Sequence, residues 1–145
     1  MGITLRIKSD HFAAATDAID QAVQTVIPDI ATAIAQDASY NAPVDTGSEE
    51  KGFYIVVKGK DTYNDAVSAA QSVNPHVHIL DHIPQEADAY HGYVSHVPEH
   101  TIYEEMGTAK HAAAPAFTPA AEAHRQDFED TLTAVIQAAL DALLR

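Results

Sequence analysis

The sequence predicts an α+β fold: an antiparallel sheet covered by a long N-terminal helix and a C-terminal helix, with a short helix between strands. Three observations carry this. One apolar stripe recurs at three- and four-residue steps through Phe12, Ala15, Ile19, Val23, Val26, Ile30 and Ile34, and a second through Phe128, Leu132, Val135, Ala139 and Leu143. Between them lie short runs rich in aromatic and β-branched residues, which favour strands. Strands collected between two such helices make an α+β domain.

Taken in order, Ile3, Leu5 and Ile7 alternate with Thr4, Arg6 and Lys8, the period-two pattern of a short half-buried strand. Ser9 and Asp10 then offer an N-cap to a helix that ends near Asn41. Pro28 lies inside that helix, where its ring crowds the carbonyl of Gln24 and a backbone donor is lost, so a kink or two abutting helices are expected. Ala42-Pro43 closes the run. Segment 52–58 reads as a strand and Gly59-Lys60-Asp61 as a turn. Residues 61–73 have helical spacing, with Asp61 or Thr62 to cap them. His76 to Leu80 resembles a further strand, residues 90–97 alternate again, and 101–106 is a short apolar and acidic stretch ending at Gly107, so the middle of the chain reads as mostly sheet. Residues 110–119 form an irregular crossing segment. Thr118-Pro119 then opens the last helix, with threonine as cap, proline in the first turn and Glu122 near the positive end of the dipole.

The chain has 145 residues, of which 46% are apolar, enough for one core, and residues 1–145 are expected to form one domain. A formal charge of −13, spread along the chain, disfavours binding to a phosphate backbone. With no cysteine there are no disulfides, thiolate metal sites or cysteine nucleophiles. No apolar leader or membrane-length segment is found, so a soluble product made in a cytoplasm is expected.

Asp45-Thr46-Gly47 supports two incompatible readings. In a retroviral-type aspartic protease, one such tripeptide per subunit pairs two aspartates that share a proton and activate water. That chemistry needs Asp45 in a loop between strands, whereas here a long helix precedes it and Ser48-Glu49-Glu50-Lys51 follows. In the conformational reading Pro43 stops the helix, Asp45 or Thr46 bonds a nearby backbone N–H, and Gly47 takes a positive φ. Nine histidines include His76 and His78 on one face of the expected strand, and with His91, His96 or His100 they resemble imidazole ligands, but no His-Glu-x-x-His pattern accompanies them. No metal site is therefore expected; protonation of several histidines below about pH 6.5 is instead expected to alter self-association. Glu104 and Glu105, read as strand neighbours, would point to opposite faces and cannot share a catalytic site. Nucleophile elbows and phosphate loops are absent, so neither an enzyme nor a cofactor is expected.

Three segments in order resemble the HK97 gp10-like family of tailed-bacteriophage neck and tail-completion proteins. They are Ala42-Pro43-Val44-Asp45-Thr46-Gly47 after the long helix, Tyr103-Glu104-Glu105-Met106-Gly107-Thr108, and Pro115-Ala116-Phe117-Thr118-Pro119-Ala120 at the start of the last helix. The match is close only there. The chain departs from the family at Ser48-Glu49-Glu50-Lys51, where a basic residue and a Ser-Ile strand are usual, and in a longer segment over residues 74–100.

The resemblance implies a non-catalytic virion protein, made in the host cytoplasm and built into a homo-oligomeric ring of six subunits. That ring would join the head connector or stopper to the tail terminator or tail tube. A tail terminator of the same assembly is the near alternative, and a dimeric aspartic protease using Asp45 the distant one. DNA would pass through the lumen without sequence-specific binding, some acidic residues lining the channel, and no membrane would be involved. The motifs would act through backbone geometry: Gly47 and Gly107 at tight turns, Asp45, Thr46 and Thr108 on exposed backbone groups, and Phe117 anchoring the crossing segment. Glu105 belongs to the second signature, while Pro43, Pro115 and Pro119 stiffen the joining segments.

Overall fold

The structure is a computed structural model that describes residues 12–44, 47–82, 84 and 86–145. The expected strand over residues 3–7 lies outside the described residues. The fold is α+β, as the sequence predicts. Helix α1 spans Phe12–Asn41 and the short helix α2 spans Ser48–Lys51. Strand β1 (Phe53–Val57), strand β2 (Lys60–Asp61) and helix α3 (Tyr63–Val73) follow. Strand β3 (Tyr93–His96), helix α4 (His100–Met106) and helix α5 (Phe117–Leu144) complete the order. The antiparallel sheet runs β2-β1-β3, with Tyr54 opposite Ser95 and Val57 opposite Lys60.

β1 is central and buried on both faces, which is why its apolar run is continuous rather than alternating. Tyr54 and Val56 pack with Ala66 and Ala70 of α3 and with Val77 and Val97. Ile55 and Val57 face α1 through Ala31, Ile27 and Ala35. Alanines at these positions let both helices approach the sheet closely. α5 packs principally along α1, so the layers run α5, α1, sheet, α3. Ile30 and Ile34 of the predicted stripe line a cavity together with Phe128 of α5.

Several expectations need correction. α1 continues through Pro28 as one helix rather than two. The missing N–H affects only the Gln24 carbonyl, a single bond in a helix packed along much of its length. Lys60 and Asp61 belong to β2, and the turn is Lys58-Gly59. The middle of the chain holds much less sheet than expected. Segment 76–80 makes one isolated bridge, Ile79 with Pro98, flanked by Leu80 N–H to the Val97 carbonyl at 2.7 Å and Glu99 N–H to the His78 carbonyl at 2.9 Å. Pro98 has no N–H to extend that ladder. Residues 101–106 belong to helix α4: seven residues are too few for periodicity to separate helix from strand. Asp61, one of the two cap candidates, accepts the Tyr63 N–H at 2.9 Å, while the Thr62 hydroxyl accepts the Ile55 N–H at 2.9 Å instead of capping α3.

Candidate functional site

The second and third motifs meet at one corner, where α4 leads into α5. One oxygen of Glu105, Oε2, accepts the N–H groups of Ala116 at 2.9 Å and Phe117 at 3.0 Å, and the other, Oε1, accepts that of Thr118 at 2.6 Å. These are the unsatisfied donors of a helix N-terminus, so a carboxylate from eleven residues upstream does the work of a local cap. The expected cap, the Thr118 side chain, does not act: Ala116 holds the cap position and makes no side-chain bond. Partial burial works to raise the Glu105 carboxyl, but the bonds from Thr118, Phe117 and Ala116 prevail and hold it below the usual carboxylate range. Glu104 and Glu105, successive on a helix, diverge; the Glu104 carbonyl accepts the Ala114 N–H at 2.8 Å.

Gly107 ends α4 with φ 73° and ψ 172°, and its N–H bonds the Tyr103 carbonyl at 2.8 Å. A Cβ there would lie 2.8 Å from the Ala113 nitrogen, so both the dihedral and the space require glycine. Thr108 Oγ1 accepts the N–H groups of Lys110 and His111, each at 3.2 Å, and its own N–H bonds the His111 carbonyl at 2.9 Å. These bonds satisfy backbone groups of the turn. Pro115 and Pro119 are exposed and Phe117 is half-buried. The anchors of the crossing segment are instead Ala116 and Ala120, both fully buried, so the expectation for Phe117 is corrected. A buried alanine leaves almost no trace in a sequence already rich in alanine.

The first motif forms a separate corner between α1 and β1. Pro43 is half-buried, Val44 exposed, and Gly47 takes φ 77° at the start of α2. Asp45 and Thr46 lie outside the described residues. Gly47 leads into a helix, not into the strand that an aspartic protease loop would require. The residues that depart from the family pattern are the unusual ones here: Ser48 and Glu49 are buried. Among the described residues Glu49 Oε1 has no hydrogen-bond partner, and Oε2 lies 4.0 Å from His100 Nε2, beyond hydrogen-bond reach. Desolvation, reinforced by the charges of Glu104 and then Glu105, pushes the Glu49 carboxyl up to about 7. Its only trace in the sequence is the unexplained Ser48-Glu49-Glu50.

The histidines disperse. His78 pairs with Glu99 at 3.0 Å, His91 with Asp88 at 2.7 Å, and His96 Nδ1 lies 3.0 Å from the Pro98 carbonyl. Burial lowers the His96 imidazole despite that carbonyl. His76 and His78 share no strand, and among the described residues no group of three His, Cys, Asp or Glu could hold one ion. His124 of α5 bonds Asp37 of α1 at 2.6 Å and ties the two long helices together. The chain matches no family model, no curated protein and no solved structure.

Proposed function

We propose that the chain is a structural subunit of a tailed-bacteriophage neck. It assembles with copies of itself into a six-membered ring between the head connector or stopper and the tail tube. The observation that carries the reading is the meeting of two of the three resemblance motifs at the α4–α5 corner. Glu105 of one motif holds the first N–H groups of the helix that the other begins, and Gly107 and Thr108 shape the turn between them. Residues used in this way direct the backbone, the role that the resemblance gives them, and no chemistry is asked of them.

Surface composition supports self-association. Met106 is 79% exposed on α4, beside exposed Ile102 and Tyr103, and Tyr40 and Val44 are 89% and 77% exposed at the end of α1. Aromatic residues and methionine are enriched in protein interfaces, and a ring is closed by head-to-tail contacts between two different surfaces of each subunit. The charge of −13 suits a wall past which DNA slides without being held. Among the described residues no helix is long and apolar enough to cross a membrane.

Native mass spectrometry of the purified chain tests the reading, with a closed hexamer expected. Introducing charge by Tyr103→Glu together with Met106→Glu is expected to shift that hexamer towards monomer while leaving the far-UV circular dichroism unchanged. A stable two-fold dimer that cleaves peptides, and loses the activity on Asp45→Asn, would overturn the reading in favour of the protease. A tail terminator shares the ring and differs in position, so binding to isolated tail tubes rather than to head connectors would select it.

A further inference from the structure

We propose that residues Ile3 to Ile7 of one copy add a strand to the open edge of β3 in the next copy, laying Ile3, Leu5 and Ile7 over an apolar cavity beside that edge. This deepens the self-association proposed above by naming a contact, and it does not depend on the number of copies. β3 is an outer strand of the sheet. Ile55 of β1 gives its N–H to the Thr62 hydroxyl at 2.9 Å, and its carbonyl accepts the Thr62 N–H at 3.0 Å, so both its backbone groups point away from β3. In an antiparallel ladder the residue opposite then points away as well. That turns the N–H and C=O of Val94, and of His96 two residues on, outwards. Among the described residues none of these four groups has a hydrogen-bond partner. Such an edge is a template for a further strand.

The side chain of Val94 lies on the α1 face of the sheet, with Ala31 and Ile55. There a cavity of about 320 Å³ opens between α1, α5 and β3, lined by Ile27, Ile30, Ile34, Val94 and Phe128 among others. A strand along this edge sets every second side chain over the cavity, the spacing of Ile3, Leu5 and Ile7, and leaves Thr4 and Arg6 on the other face. Reach decides whose segment it is. Val94 packs level with Ala31, and from Phe12 to Ala31 the continuous helix α1 rises about 28 Å. Fully extended chain covers about 17 Å from Phe12 back to Ile7, about 24 Å to Leu5 and about 31 Å to Ile3. On its own subunit the segment therefore brings at most Ile3 up to Val94, whereas a neighbouring copy can receive all three side chains. Residues 1–9 hold Arg6 and Lys8 and no acid, in a chain of charge −13, so another copy attracts this segment.

The chain has no cysteine, so introduced disulfides report cleanly. Ser95→Cys is co-expressed as a full chain with Thr4→Cys or with Arg6→Cys, all on the face away from the cavity, and oxidised. Peptide mass spectrometry is expected to find position 95 of one chain joined to position 4 or 6 of another. In the unsubstituted protein the Val94 and His96 amides are expected to exchange about tenfold more slowly than in Leu5→Asp, with the Tyr54 and Val56 amides unchanged. A disulfide that forms only within a chain carrying both substitutions, or equal exchange of Val94 and His96 in the two proteins, would overturn the proposal. A hexamer with those two amides unprotected would overturn it and leave the ring standing. An interchain disulfide in an oligomer of another size would support it and sink the six-membered ring. Should Leu5→Asp not fold, the disulfide map decides alone.

Discussion

The two corners of this molecule solve the same problem with opposite electrostatics. Each turns the chain beside a glycine of positive φ, at Gly47 and at Gly107, and each withdraws a glutamate from water. At the α4–α5 corner Glu105 meets three backbone N–H groups and its carboxyl is held low; at the α1–β1 corner Glu49 Oε1 meets none among the described residues and its carboxyl is pushed up to about 7. Burial favours the neutral acid at both. What decides the charge is whether the start of a long helix points its unsatisfied donors at the carboxyl. α5 does so for Glu105, and among the described residues no comparable helix end faces Glu49.

The largest effect is expected on removing the satisfied carboxylate. Glu105→Ala strips three charge-assisted bonds from the α5 N-terminus and should lower stability by about 2–4 kcal/mol in urea unfolding. Glu105→Gln, which keeps one acceptor oxygen, should cost about half as much. The wild-type contribution is present in full above the ordinary carboxyl value of 4.5 and is lost as pH falls below it through the lowered folded value. An acid arm unchanged in Glu105→Gln would break the comparison at this corner.

The other arm belongs to Glu49. Folded, this group keeps a proton that the unfolded chain releases near 4.5, so its stabilisation is present in full below 4.5 and is lost as pH rises through about 7. A displacement of this size corresponds to about 3 kcal/mol. Unfolding free energy should therefore fall as pH rises between 4.5 and about 7, and Glu49→Gln should flatten that fall while leaving the acid arm intact. If both variants flatten the same arm, the two corners are not electrostatically distinct.

Much of the fold was legible in the sequence because it rests on periodicity. α1, α5, α3 and β1 announce themselves through stripes or runs longer than one structural period, and Pro43 and Gly107 mark boundaries by conformation alone. Short elements were not legible: α4 and segment 76–80 are too brief for period two to be told from period 3.6. At the candidate site the motif residues Glu105, Gly107 and Thr108 could be picked out singly. That Glu105 caps a helix beginning twelve residues later is a long-range contact, which local sequence does not encode. The burial of Glu49 was hidden for the same reason, since it depends on the fold packing α2 against α3 and α1.

A smaller effect is expected at the glycine between the two joined motifs. Gly107→Ala places a Cβ 2.8 Å from the Ala113 nitrogen at a φ of 73°, so left-handed strain and a backbone clash add. A loss of about 2 kcal/mol should appear as a lowered urea midpoint with unchanged slope. Because Glu105 needs this turn to reach α5, the acid arm should shrink in the same variant, whereas the fall contributed by Glu49 between 4.5 and about 7 should persist.

The smallest effect belongs to Thr108, and it measures how much of the corner is the turn and how much the cap. Thr108→Val keeps the side-chain volume but removes the acceptor for the Lys110 and His111 N–H groups, each at 3.2 Å. All three residues are exposed, so water can take the place of the hydroxyl and the loss should be at most about 1 kcal/mol. Exchange of the Lys110 and His111 amides should accelerate, while that of Phe117 and Thr118, held by Glu105, should not. Acceleration at all four would mean that the turn supports the cap, and the contrast between the corners would then lie in the loop as well as in the carboxylates.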